Sequence, residues 1–581
     1  MRLAPGTRVV SGPSFDRPRP IDRIASAAVV IVAATSAFEV ASPRLAIRGL
    51  QVSTLEATTA LAVASGLVSL VSRPATWPRV AFAAPALVCL AVACLSALFA
   101  PAYAGEAWRT CGRLLAAWLL TVTVAHVVRT RSQARVLVGV LMAVGATVGV
   151  VALLELAQAP WVMRALTAFR PGFHVVGGQV RASATFVYPT VASMFLEVVF
   201  ALGLWFVVEP PPGASRLRRA WPMAALTLVA AGIVASFTRA GLLAMVASLA
   251  VVAGLRYTRQ PVFDAAMRRL GALALIVVAL MAGSRSPEAW TSRVSTDTSQ
   301  DWYGADYTVP ATLTLPPGRM TGVPVTVENQ GLLTWQSTDD PIFAMSYHWL
   351  APGSDLLVDF EGARTPFADP VPPGGRVQML VGVRTPTRPG DYTLVWDVVH
   401  EGRAWLSTEG VFSPRSAVRV EGVAPATPLE THGPLPGASV RMPRRQLWTA
   451  AARMAIAHPW LGVGAGNFRQ HYGAYLGLGA WDHRVHANNL YLEVLTGTGI
   501  AGLAALLWLV AAIGHAAWRA WRDVTQGTLG AALVATGVII AGHGLVDAFL
   551  AFTSTYVVFA MAAGLAAAAV DHGFASHAHR V

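Results

Sequence analysis

Long apolar runs separated by short polar loops make up most of the chain, on both sides of one longer polar stretch. A membrane-spanning helix needs roughly 20 apolar residues. Twelve runs approach that length, near 24–41, 54–72, 79–100, 111–128, 135–157, 189–208, 221–237, 240–256, 269–285, 488–515, 529–549 and 551–570. This pattern predicts a polytopic α-helical membrane protein with about twelve transmembrane helices.

The composition supports the same class of protein. Of 581 residues, 54% are hydrophobic and only 13% are charged, and the mean hydropathy is +0.52. A soluble protein carries about a quarter charged residues. The first apolar run follows a long polar arm, so we do not expect it to be a cleaved signal peptide.

Arginine supplies all the side-chain basic charge apart from histidine, because the chain has no lysine, and the formal net charge is +13. Arginines collect in the N-terminal arm and in alternate loops: Arg2, Arg8, Arg17, Arg19, Arg23, Arg73, Arg79, Arg129, Arg131, Arg135, Arg216, Arg218, Arg219, Arg256, Arg259, Arg268, Arg269, Arg519 and Arg522. The positive-inside rule places these loops and both termini on the cytoplasmic side of the membrane. We expect this membrane to be a bacterial inner membrane. Because the charge is explained by topology, we do not expect nucleic acid as a partner.

The long polar stretch then lies outside the cytoplasm, and its pattern changes to short alternating runs. Period-two segments at 325–328, 343–347, 377–381 and 392–396 are separated by turn signals rich in proline and glycine. They predict an extracytoplasmic antiparallel β-sandwich of immunoglobulin-like type. Four tryptophans in it form either a sugar-stacking platform or part of its core, and the core is favoured: Trp335, Trp349, Trp396 and Trp405.

These patterns divide the chain into eight parts. They are a cytoplasmic arm (1–23), helices one to nine (24–285), a linker (286–310), the sandwich (311–420), a second linker (421–443), an interfacial helix with a glycine-rich loop (444–485), helices ten to twelve (486–570) and a cytoplasmic tail (571–581). Helix 444–457 is too short and too polar to span the membrane, so we expect it at the interface.

Polar residues on the spans are the candidates for chemistry, because a bilayer tolerates them only beside a cavity or a partner. His486, Asn489 and Glu493 have the spacing of one helical stripe. Seven residues of helix would put Glu493 roughly 10 Å along the axis from His486. A structural ion pair with an arginine is the alternative interpretation for Glu493.

Three arginines lie at the same predicted outer level of the membrane, where they suit bidentate capture of phosphate. Arg181 precedes a span, Arg239 lies in a tight turn at 236–241, and Arg444 begins the interfacial helix. For Arg239 and Arg181 the alternative is a side chain that reaches the lipid headgroups. His543 and Asp547 either join the same site or make a helix–helix hydrogen bond.

These groups predict a site for a lipid-linked pyrophosphate donor. Histidine commonly takes a proton from a hydroxyl near neutral pH, and the arginines could neutralise the charge that a metal would otherwise balance. We therefore expect no metal and no cofactor. The expected partners are a lipid-linked oligosaccharide donor, a glycan, lipid or protein acceptor, and membrane lipids.

The chain resembles the O-antigen ligase and polymerase superfamily of bacterial polysaccharide enzymes. The resemblance rests on five motifs in order, at 181–189, 236–241, Arg444 with Trp448, the glycine-rich stretch 458–468, and 486–502. It implies a GT-C-like membrane fold and a metal-independent, inverting glycosyl transfer at the outer face of the inner membrane. Arg181, Arg239 and Arg444 would bind the undecaprenyl pyrophosphate leaving group.

The resemblance also implies a histidine that activates the acceptor hydroxyl. Many ligases carry that histidine directly before an asparagine, whereas here Asn488 precedes Asn489. The nearest histidine is His486, as in some superfamily members, and we predict it to be the base. The β-sandwich is a second departure, because the usual large loop is helical.

Ligation and polymerisation differ only in the acceptor, and the sequence does not choose between them. Two other classes remain open. A transporter or flippase of the lipid-linked glycan would show paired inverted repeats, and no convincing repeat is present. A non-catalytic envelope assembly protein would tolerate alanine at His486 and Arg239.

Overall fold

The computed structural model describes residues 19–40, 45–47, 50–72, 77–170, 172–210, 215–296, 300–338, 342–423, 428–436 and 442–574. Most of the predicted cytoplasmic arm, the predicted loop residue Arg73 and the end of the predicted tail lie outside these ranges.

Sixteen helices form in the described residues. They are α1 (Pro20–Thr35), α2 (Thr54–Val71), α3 (Ala83–Leu98), α4 (Ala104–Val127), α5 (Arg131–Leu156), α6 (Pro160–Leu166), α7 (Pro189–Val208), α8 (Arg216–Ala235), α9 (Arg239–Arg259), α10 (Ala265–Ser284), α11 (Pro287–Ser295), α12 (Arg444–Ala457), α13 (Phe468–Leu476), α14 (Leu490–Arg522), α15 (Gly527–His543) and α16 (Thr553–His572). Every predicted span overlaps one of them.

Nine helices in the described part of the chain are long and apolar enough to cross a membrane: α2, α4, α5, α7, α8, α9, α10, α14 and α16. Two more, α3 and α15, are apolar but shorter. The polytopic helical membrane fold is therefore confirmed, whereas the count of twelve spans stays a prediction.

The helices pack around α7, which contacts α5, α8, α9, α10, α15 and α16. The arginine-rich loops meet one another at one end of this array. There Arg131 and Arg135 pair with Glu209, the Arg79 amide donates to Asp571 at 3.1 Å, and Arg259 donates to the Asp523 carbonyl at 3.3 Å. The β-rich region contacts the opposite end.

Fourteen strands form in the described residues. They are β1 (Leu45–Ile47), β2 (Leu50–Val52), β3 (His174–Val176), β4 (Gln179–Arg181), β5 (Ala305–Thr308), β6 (Thr312–Leu315), β7 (Met320–Asn329), β8 (Phe343–Leu350), β9 (Leu357–Asp359), β10 (Thr365–Pro366), β11 (Arg376–Arg384), β12 (Gly390–His400), β13 (Ala404–Trp405) and β14 (Arg415–Val420). Strands β1 and β2 form one hairpin, and β3 and β4 another.

The remaining strands build two sheets that share one core. A seven-stranded sheet has the order β10-β8-β12-β14-β6, with β9 added to β8 and β13 to β12, and a three-stranded sheet has the order β11-β7-β5. The sheet-rich region is thus confirmed, but it is not purely antiparallel, because β14 and β6 run parallel. All four tryptophans named above are buried, so the core interpretation is correct.

Part of the predicted linker 286–310 is folded. It contains α11 and strand β5, which pairs with β7. The proline and threonine content of this segment suggested a linker, yet Pro287 occupies the first turn of α11, where a proline costs no hydrogen bond.

Candidate functional site

Arg181 is hydrogen-bonded to the turn that carries Arg239. The Arg181 Nε donates to the Ser236 carbonyl oxygen at 3.2 Å, and one of its terminal nitrogens donates to Thr238 Oγ1 at 3.2 Å. The turn reverses the chain between α8 and α9 through Phe237, whose φ is 52°. Arg239 then opens α9, so the structure brings these two predicted arginines together.

Helix α11 adds a third arginine to this turn. Arg239 donates to the carbonyl oxygens of Val294 and Thr296 at 3.2 and 2.8 Å, and Arg293 Nε donates to the Phe237 carbonyl oxygen at 3.1 Å. Sequence reasoning missed Arg293, because it lies in a segment whose composition suggested a linker and no apolar pattern marked it.

The electrostatics of Arg181 show how closely the cations gather. Removal from water, followed by the positive charge of Arg293, lowers the pKa of Arg181 from its usual value. Asp547 opposes this shift, and Arg239 and Arg444 add to it. The predicted residues Arg181, Arg239, Arg444 and Asp547 therefore share one neighbourhood.

Arg444 reaches this neighbourhood from the first position of α12. The helix follows Pro443 and buries one face through Leu447, Ala450, Ala451 and Met454. These residues repeat at helical spacing and pack against Phe468, Tyr472 and Ala487. The buried face of α12 thus fixes where Arg444 stands, and Trp448 Nε1 ties the helix to the Ala487 carbonyl oxygen at 3.0 Å.

His486 and Glu493 form a hydrogen-bonded pair, with 3.1 Å between Nδ1 and Oε1. The other carboxylate oxygen of Glu493 accepts from the Ala487 amide at 2.9 Å. Both side chains are largely buried, with 18% and 11% of their surfaces exposed. The structure thus gives Glu493 a histidine partner, and the alternative of an arginine partner stays a prediction.

The predicted helical stripe through His486 is wrong, because α14 begins only at Leu490. Asn489 caps the helix through Oδ1, which accepts from the Leu492 amide at 3.0 Å, and Asn488 adopts a φ of 49° that turns the chain. This turn folds His486 back onto Glu493. The two side chains touch instead of standing about 10 Å apart along one axis.

The start of α14 is joined to the end of α15. The Asn489 Nδ2 donates to the Leu545 carbonyl oxygen at 2.8 Å, and the Leu490 amide donates to the Gly544 carbonyl oxygen at 2.7 Å. Asp547 lies two residues after Leu545. These bonds place the His486 pair beside the segment that contributes a carboxylate to the arginine cluster, defined as Arg181, Arg239, Arg293 and Arg444.

His543 pairs with a carboxylate on another helix, as its alternative interpretation predicted. Its Nδ1 lies 2.8 Å from Glu197 Oε2 on α7, and Ser193 Oγ donates to Glu197 Oε1 at 2.7 Å. All three side chains are buried. Gly241 permits this packing, because a Cβ there would lie 2.0 Å from Ser193 Oγ.

The glycine-rich stretch 458–468 docks onto a break in α14. Gly499 has a φ of 68° inside that helix, and the amides of Val463 and Gly464 donate to the carbonyl oxygens of Thr496 and Gly497 at 2.9 and 3.0 Å. Irregular backbone inside a membrane protein needs such partners. Gly497 and Gly499 thus allow the close approach of this loop.

A cavity of about 220 Å³ opens between α3, α4, α14 and α16. His486 and Glu493 lie on its wall together with Arg113 and Arg469, and most of the remaining lining is apolar. The described residues Arg181, Arg239 and Arg444 are not among those that line this cavity. In the described part of the chain, no group of three or more His, Cys, Asp or Glu side chains could hold a metal ion.

The fold and these side chains define a polytopic membrane protein with a polar, arginine-rich site at one end of its helices. Residues 436–507 match the family model described as O-antigen ligase, so this part of the chain is similar to that family. The predicted resemblance to the superfamily is confirmed. None of the curated proteins matches the chain significantly.

The matched segment includes α12, the glycine-rich stretch, α13 and the first half of α14. It therefore carries Arg444, His486, Asn488, Asn489 and Glu493. Arg181 and Arg239 come from outside the matched segment and reach the site through the fold.

Proposed function

We propose that the protein transfers a glycan from a lipid pyrophosphate carrier to an acceptor at the outer face of the bacterial inner membrane. The donor is an undecaprenyl pyrophosphate-linked glycan. The acceptor is a lipid or protein in a ligation, or a second glycan chain in a polymerisation. The observation that carries this proposal is the arginine cluster, which the segment from Leu545 to Asp547 links to the His486–Glu493 pair, within and around the residues that match the O-antigen ligase family model.

The arginine cluster suits the pyrophosphate. Several guanidinium groups near one another repel, and the charges of Arg293, Arg239 and Arg444 all act against the protonated form of Arg181, whereas Asp547 favours it. An anion between them relieves that repulsion, and arginine binds phosphate with two parallel hydrogen bonds. The cluster would also stabilise the charge that develops on the leaving group.

The His486–Glu493 pair suits a general base. An ionised carboxylate can only accept a hydrogen bond, so Nδ1 of His486 carries the proton and Nε2 keeps its lone pair. Nε2 would take the proton of the acceptor hydroxyl as its oxygen attacks the anomeric carbon. The bond to the pyrophosphate breaks on the opposite face, which inverts the configuration, and the arginines do the charge neutralisation without a metal.

The cavity beside His486 suits the lipid part of a substrate. Its wall is mostly apolar, as a polyprenyl or acyl chain requires. The positive-inside rule supports the orientation, because the arginine-rich loops meet at the end opposite to the site.

Arg239→Ala tests the role of the cluster. With purified protein and a synthetic lipid-linked oligosaccharide, we expect release of undecaprenyl pyrophosphate to fall by at least about a hundredfold, the loss typical of removing one transition-state donor. Arg259→Ala, at the other end of α9, is the matched control and should keep activity. Normal turnover in Arg239→Ala would remove this arginine from the site.

His486→Ala tests the base. We expect a loss of roughly 10²- to 10⁴-fold in kcat at neutral pH, with partial recovery at raised pH, where the acceptor ionises without help. His483→Ala, on an exposed side chain three residues earlier, should remain active. Movement of the intact glycan-lipid across the membrane without release of pyrophosphate would instead indicate a transporter.

A further inference from the structure

The β3–β4 hairpin carries Arg181 at the end of β4, and its tip lies against the β-rich insert, defined here as residues 300–420. Its two glycines, Gly177 and Gly178, have φ values of 52° and 73°, as a tight two-residue hairpin turn requires. A Cβ on Gly177 would lie 1.7 Å from the Trp302 ring, and one on Gly178 would lie 2.2 Å from the His400 ring. The hairpin backbone thus lies directly against two side chains of the insert.

Both contacting side chains are fixed from within the insert. His400 ends β12, stacks on Phe343 with 4.3 Å between ring centroids, and lies 3.1 Å from the Tyr303 hydroxyl through Nδ1. Trp302 and His400 are both 1% exposed. They form a rigid seat, defined here as Trp302 and His400, beneath the hairpin tip.

The same seat is linked to Arg239. The Trp302 Nε1 donates to Thr296 Oγ1 at 2.8 Å, and the Thr296 carbonyl oxygen accepts from Arg239 at 2.8 Å. Arg285, just after α10, is also hydrogen-bonded to β4. It donates to Gln179 Oε1 at 2.8 Å and to the Val180 carbonyl oxygen at 2.6 Å. Contacts from the insert and its leading segment therefore reach both arginines.

We propose that the β-rich insert is a positioning part of the transfer site, with Trp302 and His400 setting the place of Arg181. This inference rests on the proposed function. A hairpin with strands of three residues is not stable by itself, so its geometry comes from what it docks onto. Holding Arg181 in place before the donor arrives lowers the entropy lost when the pyrophosphate binds.

Gly178→Ala and Trp302→Ala disturb the seat from its two sides, and Leu380→Ala, on an exposed strand position of the same insert, is the control. We expect KM for the lipid-linked donor to rise about tenfold in both seat variants while kcat changes less, because a shifted Arg181 weakens donor capture. Trp302→Phe, which keeps a ring against Gly177, should restore most of the affinity. Leu380→Ala should match the wild type.

Amide hydrogen exchange separates this inference from the proposed function. We expect faster exchange at 174–181 in both seat variants, with unchanged protection at 393–399 in β12, which shows that the insert is still folded. Faster exchange at 174–181 with an unchanged KM would overturn the positioning role, as would unchanged exchange. If the wild type transferred no glycan, the proposed function would fail, and binding of inorganic pyrophosphate would replace KM as the readout: undiminished affinity in the seat variants would then overturn the inference.

Discussion

Glu493 decides which nitrogen of His486 can take a proton. Its carboxylate accepts from Nδ1 at 3.1 Å and also from the Ala487 amide at 2.9 Å, so it fixes both the tautomer and the position of the ring. A base oriented by a carboxylate in this way is the logic of a catalytic triad without its own nucleophile.

Glu493→Gln should therefore lower kcat strongly and change the thermal stability of the protein little. An amide can donate to Nδ1 and so stabilise the tautomer whose Nε2 is already protonated, which cannot act as a base. We expect kcat to fall roughly 10²-fold or more with the donor KM nearly unchanged. Glycan transfer assays and a thermal unfolding curve on the same preparation would measure both effects. Full activity would show that Glu493 is only structural.

Individual site residues could be predicted from the sequence where a polar side chain interrupts an apolar run. That signal marked Glu493, His543 and Asp547, and it was also present at Glu197 in the run 189–208, which could have been selected by the same reasoning. Glu197 proves to be the buried partner of His543. Arg293 carried no such signal, because its surroundings in the sequence are polar.

At the scale of elements, the break in α14 is a tightly packed feature. The Gly499 backbone lies so close to the glycine-rich stretch that a Cβ would stand 2.2 Å from the Trp460 carbonyl group. The Ile500 amide also donates to the Pro459 carbonyl oxygen at 2.8 Å. Helix and loop therefore form one unit, which holds the first turn of α14 and with it Glu493.

Gly499→Ala should destabilise the protein by about 2 to 5 kcal/mol, the sum of a left-handed backbone conformation and overpacking. Gly514→Ala in the same helix is the matched control, since nothing lies within 4 Å of a Cβ there. It should be neutral or more stable by up to about 1 kcal/mol. Thermal unfolding in detergent would compare them, and equal stabilities would contradict the docking.

Helix positions were predictable and helix ends were not always. Apolar composition alone identified the run that becomes α14, but its start depends on Asn489 as a cap and on the turn at Asn488. Likewise, alternation identified strands, whereas the parallel pairing of β14 with β6 arises between segments far apart in sequence. Local pattern carries no information on such pairing.

For the molecule as a whole, the orientation in the membrane is the main untested prediction. Arginine-rich loops meet at one end of the helices, and the β-rich insert contacts the other. Gln260→Cys and Thr387→Cys, in a protein whose three native cysteines are replaced by alanine, mark the two ends. Both chosen positions are exposed.

An impermeant maleimide should label Thr387→Cys in intact spheroplasts and label Gln260→Cys only after permeabilisation. This expectation follows from the positive-inside rule. Labelling of both positions without permeabilisation, or the reverse order, would contradict the orientation on which the proposed outer-face reaction depends.

The docking of the insert onto the arginines was not predictable from the sequence. Composition at 286–310 indicated a linker. Trp302 and His400 contact two hairpin glycines that lie more than 100 residues earlier in the chain, and such contacts belong to tertiary packing alone. A local sequence pattern can describe the hairpin and the insert separately, but it does not show that they contact each other.

Helix α7 is apolar but is buried among other helices. All of its most apolar 18-residue window is buried, compared with 22% for α10. Most of α10 is therefore open to contact with lipid, whereas other helices enclose α7. Its hydrophobicity is a requirement of close packing, and the cost of a polar side chain there is set by its neighbours, which is how a carboxylate persists at Glu197.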